Sequence, residues 1–113
     1  MDKVDTLVGQ GTLLKGRVEA QGTLRIDGFI EGEIVTTGDV IIGEKGTVKA
    51  QVTARNLTIG GTMEGNAIVG ECLSILPHGR LVGDAKMKRL VIEEGAFFHG
   101  RSEMQGQGEG EEE

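Results

Sequence analysis

The side chains best suited to catalysis or metal binding are few in this chain: two histidines, His78 and His99, and one cysteine, Cys72. A three-histidine zinc site needs more imidazoles than that. Each histidine is followed by a glycine, His78-Gly79 and His99-Gly100, a context in which a solvated loop residue is expected. Cys72 precedes Leu73 on the outward phase of a strand pattern. No histidine stands at a catalytic-motif spacing from it, so it reads as a structural or exposed thiol. Glu93-Glu94 is a carboxylate pair by sequence only, because neighbours on a turn diverge, and acid–base catalysis needs two carboxylates facing one cleft. Gly9-Gln10-Gly11 and Gly60-Gly61 match no phosphate-cradling loop that leads into a helix. No catalytic residue, cofactor or metal site is expected.

The elements that carry these residues repeat. An apolar-x-apolar pair recurs as Leu24/Ile26, Val40/Ile42, Leu57/Ile59, Leu73/Ile75 and Leu90/Ile92, at steps of 16, 17, 16 and 17 residues. One such step is one turn of a parallel β-helix, too short to close a core alone and stable only by stacking on its neighbours. A second alternating row runs Leu14-x-Gly16-x-Val18, Ile30-x-Gly32-x-Ile34, Val48-x-Ala50-x-Val52, Met63-x-Gly65-x-Ala67, Leu81-x-Gly83-x-Ala85 and Phe98-x-Gly100-x-Ser102. These triplets read as period-2 strands whose small middle residue marks a tight place inside the coil. Two residues are inserted at alternate corners, where Gly43-Glu-Lys-Gly46, Leu76-Pro-His-Gly79 and Glu93-Glu-Gly95 supply turn chemistry. About six rungs spaced about 4.8 Å apart give a rod on the order of 25 to 30 Å long. The stacking also predicts Arg55, Glu71 and Lys88 as a plus–minus–plus ladder on an outer face.

Composition narrows the function. The 113 residues carry 20 glycines and one proline and are 37% apolar, which fits one folded domain and neither collagen nor simple disorder. The formal charge of −6 comes largely from Glu109, Glu111, Glu112 and Glu113. The nearly balanced body would not attract phosphate backbones, and the chain has no Trp or Tyr to stack on bases. Nucleic acid is not an expected partner. A lone cysteine and no secretory-type opening point to the cytoplasm, and no apolar stretch approaches the roughly 20 residues of a spanning helix. Three parts are expected: a flexible segment over 1–5, the β-helix over 6–104, and a disordered acidic tail over 105–113 that acts as a solvating extension.

Leu24-Arg-Ile-Asp-Gly28, Gly32-Glu-Ile34, Val40-Ile-Ile-Gly43, Val48-Lys-Ala50, Leu57-Thr-Ile-Gly60, Met63-Glu-Gly65 and the segment Leu90 to Gly100 together resemble the bactofilins, bacterial cytoskeletal proteins that form polymers. The resemblance implies a right-handed parallel β-helix of triangular cross-section. It also implies end-to-end assembly without nucleotide into non-polar filaments that act as scaffolds near the membrane. The implied partner is the chain itself, head to head and tail to tail, with cell-wall peptidases or flagellar proteins as further partners. Many members open with an apolar or amphipathic membrane-binding peptide. Met1-Asp-Lys-Val-Asp5 is charged instead, which argues against direct lipid binding and leaves membrane association indirect.

A parallel coil without capping helices exposes unpaired backbone groups and uncovered core at both ends. The positions expected to form the polymer interface are Leu90, Ile92, Phe97, Phe98 and Met104 at the C-terminal end and Leu7, Val8, Leu13 and Leu14 at the N-terminal end. Phe98 falls on the inward phase, in line with Leu81 and Val48, and should cover the last rung. Two other readings stand beside the filament. One is an adaptor that binds another protein through outer faces such as Arg25, Ile41, Thr58, Ser74 and Val91. The other is a hexapeptide-type acyltransferase, whose 18-residue metre the steps of 16 and 17 break.

Overall fold

The structure is a computed structural model, and it describes residues 4–104. The expectations for the opening residues 1–3 and for the acidic tail 105–113 lie outside the described residues. Alternating apolar residues, β-branched ones prominent among them, and glycine-bearing corners form thirteen strands, joined by parallel pairing into one continuous sheet. That sheet coils into three columns of six rungs each. The first column stacks β1 (Val4–Val8), β3 (Thr23–Ile26), β5 (Asp39–Ile42), the end of β6 (Thr47–Ile59), the end of β8 (Ala67–Ile75) and β11 (Arg89–Ile92). The second stacks the starts of β2 (Leu13–Ala20), β4 (Phe29–Thr36) and β6, then β7 (Thr62–Glu64), β9 (Arg80–Val82) and β12 (Phe97–His99). The third stacks the ends of β2 and β4, the middle of β6, the start of β8, β10 (Ala85–Met87) and β13 (Ser102–Met104). The first strand opens at Val4, slightly ahead of the Thr6 expected from the pattern.

Because side chains alternate across a strand, one phase of every rung points into the coil. Leu24, Leu57 and Leu73 stack there with Val40, and Ile26, Ile59 and Ile75 with Ile42, all buried. Ile30, Val48, Met63 and Leu81 line the second side, and Ile34, Val52, Ala67 and Ala85 begin the third. Thr36 is the polar exception. Its Oγ1 donates to the Gly22 carbonyl at 2.8 Å and accepts the Gly38 N–H at 3.1 Å, so the buried hydroxyl closes a corner and leaves no bond unmade.

The three corners differ. At the first, the expected insertions are β-turns: Gly46 N–H donates to Gly43 O at 2.9 Å, Gly79 N–H to Leu76 O at 2.7 Å and Ala96 N–H to Glu93 O at 3.0 Å. Thr12 N–H donates to Gly9 O at 3.1 Å in a further turn of the same kind. The intervening turns are short and stack closely on the long ones, so that a Cβ on Gly61 would overlap the carbonyl oxygens of Gly43 and Gly46. A two-residue insertion that lengthens the step by only one needs a deletion elsewhere, and the third corner supplies it. The step from Ala54 to Leu57 and from Met87 to Leu90 is three positions, against four from Thr36 to Val40 and from Val69 to Leu73. The pairing shifts register at that place, between Ala54 and Asn56.

The second corner corrects the reading of the glycine-centred triplets. Gly16, Gly32, Ala50, Gly65, Gly83 and Gly100 stack where the second column bends into the third, not in the interior of one straight strand. The glycines have φ between +123° and +143°, and a Cβ on Gly32, Gly65, Gly83 or Gly100 would overlap the carbonyl oxygen of the residue stacked beneath. The tight place is backbone against backbone.

The Arg55, Glu71, Lys88 ladder holds in part. Lys88 N–H donates to Glu71 O at 3.0 Å, so those two stand on neighbouring rungs, whereas the Arg55 side chain turns to Asp39, with Nε 3.9 Å from Oδ1. The shortened third corner puts Asn56 into the stack instead. Its Nδ2 donates to Asp39 Oδ1 at 3.0 Å and its Oδ1 accepts the Cys72 N–H at 3.1 Å, tying three rungs together.

Candidate functional site

The chemistry-bearing side chains lie scattered over the outside of the coil. His78 sits exposed in the turn 76–79 with φ 77°, the single non-glycine residue of positive φ among those described. His99 is not in a loop as expected but in strand β12, where its ring stacks on Phe97 at 6.4 Å between centroids. Cys72 is half-buried in β8, its Sγ 3.6 Å from Ser74 Oγ. Glu93 and Glu94 are exposed in their turn. Among the described residues no three His, Cys, Asp or Glu side chains gather as a metal site would require, and no helix is long and apolar enough to cross a membrane.

The ends of the coil are where its regular features stop being satisfied. At the C-terminal end the inward rows continue past the core: Leu90 and Phe98 are half-buried, Ile92 is 46% exposed and Met104 56% exposed. Each stands on a fully buried residue one rung down, Leu73, Leu81, Ile75 and Met87 respectively. Phe98 therefore lies in line with Leu81, as its phase predicts. At the N-terminal end Leu14 is 36% exposed over Ile30, and Val18 and Ala20 are half-buried over Ile34 and Thr36.

Register separates the expected positions into two groups. Leu90, Ile92, Phe98, Met104 and Leu14 belong to the terminal layers. Leu7 pairs with Arg25, Leu13 with Phe29 and Phe97 with Arg80, so these three point out from the walls beside the ends. Phe97 is capped there by the Arg80 guanidinium, 4.5 Å from its ring centroid. Val8 is on the inward phase but already 4% exposed, hence core rather than open surface. Val18, Ala20 and the exposed Thr6, which pairs with Leu24, complete the N-terminal layer. Extending the inward rows back by one rung from Leu24, Ile34 and Thr36 would have found them.

The backbone is open in the same places. Among the described residues β1 and β2 have strand partners on one side only, β3 and β4, and so have β11, β12 and β13, against β8, β9 and β10. Each end thus presents unpaired N–H and C=O groups around an uncharged apolar layer. Such a surface is a template for another parallel coil or for a second copy turned over.

A family model described as bactofilin, polymer-forming cytoskeletal, matches residues 6–103. Three curated bactofilins of Myxococcus xanthus strain DK1622 are similar. BacP is 35% identical over 100 residues, BacN 37% over 98, and BacO 28% over 100. These alignments cover 87–88% of this chain, and they cover 42% of BacP, 87% of BacN and 79% of BacO. The chain thus spans less than half the length of BacP. Among solved structures, a cryo-EM reconstruction of Thermus thermophilus bactofilin double helical filaments superposes with a TM-score of 0.84 at 30% identity, over 88% of this chain and 99% of that one.

Proposed function

This chain belongs to the bactofilin family of polymer-forming cytoskeletal proteins, and on that premise we propose that it assembles end to end, without nucleotide, into non-polar filaments. The observation that carries the proposal is the pair of open ends, each an apolar layer ringed by unpaired strand edges. If C-terminal ends meet each other and N-terminal ends meet each other, both contacts are isologous, and alternating them builds an unlimited rod with no net direction. Each contact is small, so strand pairing and continuity of the core must hold it. By likeness to the double helical filaments of the Thermus protein, two such rods pair. The filament serves as a cytoplasmic scaffold for cell shape or for placing cell-wall peptidases or flagellar proteins. The family is structural, and the protein is not an enzyme.

Pelleting and electron microscopy of the purified protein test this reading, with Phe98→Arg as the variant. Filaments that pellet in the wild type and disappear in Phe98→Arg are the expected result. A monodisperse wild-type monomer at every salt concentration overturns it and leaves the adaptor reading.

A further inference from the structure

Three methionines lie within the described residues, and their surroundings differ. Met63 and Met87 are 0% exposed inside the coil, whereas Met104, one rung above Met87 in the same inward row, is 56% exposed. Met104 is thus a core position with no rung over it. Leu90, Ile92 and Phe98 share its terminal layer, and among these apolar residues Met104 alone carries sulfur. The other sulfur outside the core, Cys72, is half-buried one rung below the end, where it pairs with Arg89 and takes no part in that layer.

We infer that Met104 is a reversible oxidation site, its reagent a peroxide, whose modification closes the C-terminal end to assembly. The inference rests on the end-to-end assembly proposed above. Oxidation takes two electrons from the thioether sulfur and adds one oxygen atom from hydrogen peroxide, the rest of which leaves as water. A methionine sulfoxide reductase reverses the step with two thiols, which end as a disulfide while the oxygen leaves as a second water. The product keeps the length of the side chain but turns an apolar sulfur into a polar S=O group. In a free subunit that group reaches solvent, and the core beneath it, sealed by Met87, is undisturbed. In a contact between two C-terminal ends it must be buried against aliphatic side chains, and two-fold symmetry buries it twice. The N-terminal layer of Thr6, Leu14, Val18 and Ala20 contains no methionine, so its contact is untouched. Oxidised chains therefore stop at dimers joined through their N-terminal ends. Accessibility sets where the reaction occurs: a Met104 covered in a filament is shielded, so peroxide acts on free subunits and on exposed filament ends.

The test holds the full chain below its pelleting concentration, treats it with dilute hydrogen peroxide and locates the added oxygen by peptide mass spectrometry. The concentration is then raised and the pelleted mass measured, with Met104→Leu and Cys72→Ser beside wild type. Met104 should be oxidised at least about tenfold faster than Met63 and Met87. The pelleting concentration should rise at least about tenfold in oxidised wild type and oxidised Cys72→Ser, and stay unchanged in Met104→Leu. A tenfold step corresponds to about 1.4 kcal/mol, within what one polar group buried without a partner costs. Methionine sulfoxide reductase with a thiol should restore pelleting, and the thiol alone should not. The inference is overturned if Met104 reacts no faster than the two core methionines, if oxidised wild type pellets like untreated protein, or if Met104→Leu is equally sensitive. Restoration by the thiol alone also overturns it, because the effect then belongs to Cys72. A wild type that forms no filaments before treatment instead refutes the end-to-end reading beneath it.

Discussion

Ile92 offers a way to perturb assembly without perturbing the fold, and to read the direction of the filament from the same experiment. Its side chain stands on fully buried Ile75 in the last rung and is 46% exposed. Full burial of an isoleucine contributes about 1.5–3 kcal/mol, so covering the exposed half is worth about 0.7–1.4 kcal/mol. A C-terminal to C-terminal contact uses the residue twice, once from each subunit, for about 1.4–2.8 kcal/mol. Ile92→Lys removes that and adds two facing ammonium groups, which raises the cost further. The C-terminal contact should therefore weaken by tenfold to a hundredfold at least, while the lysine reaches solvent from the open end and leaves the monomer folded. Thermal unfolding and circular dichroism check the fold, and pelleting against concentration checks assembly. Light scattering on the soluble fraction then reads polarity. In a non-polar filament the N-terminal contact survives and Ile92→Lys stops at dimers. In a polar filament every contact uses one end of each kind and the variant stops at monomers. Wild-type pelleting by Ile92→Lys would refute the placement of the C-terminal layer in the contact.

Met87 and Met104 occupy the same inward row one rung apart, 0% and 56% exposed; Met87→Lys should unfold the chain by burying an unpaired charge, and Met104→Lys should leave a folded protein that does not pellet, both checked by circular dichroism and sedimentation. His78→Gly should stabilise the protein, since a positive φ costs a non-glycine residue roughly 1–2 kcal/mol and glycine returns only roughly 0.5–1 of it as chain entropy. The expected rise in melting temperature is a few degrees. Asn56→Ala removes the acceptor of the Cys72 N–H and a donor to Asp39; the loss should be about 1–3 kcal/mol, with faster hydrogen exchange at the Cys72 amide.

The inward rows were legible because period-2 alternation survives every corner of the coil. Leu24 to Leu90 and Ile30 to Phe98 can be aligned by spacing alone, and the long turns announce themselves by glycine and proline. The compensating deletion at the third corner was hidden, because Ala54-Arg-Asn-Leu57 and Met87-Lys-Arg-Leu90 contain no turn residue to mark it. Arg55 lies in that shortened corner, where the pairing with the next rung shifts register, and its side chain turns to Asp39. Leu7, Leu13 and Phe97 were placed at the ends because apolarity near a terminus looks like an end layer. Only the strand register, which seats Leu7 opposite Arg25 and Phe97 opposite Arg80, shows that they face sideways.

The same register explains why the ends of this coil are suited to assembly while the chain itself stays folded. In a stack of rungs, stability is close to a sum of intrinsic terms and nearest-neighbour interfaces. Six rungs have interfaces on both sides everywhere but at the first and the last. Joining two chains restores one missing interface made of the same elements as those inside: inward aliphatic side chains stacked on each other and strand edges able to pair. In the proposed end-to-end assembly, the contact is therefore a weakened copy of the contact that folds the protein. It is weakened because Ser102 stands above Ala85 and Thr6 pairs with Leu24, so polar side chains enter rows that are otherwise apolar. Such a layer can be exposed in a monomer and buried in a filament with a modest free-energy difference, which is the condition for a polymer that forms without nucleotide and remains reversible.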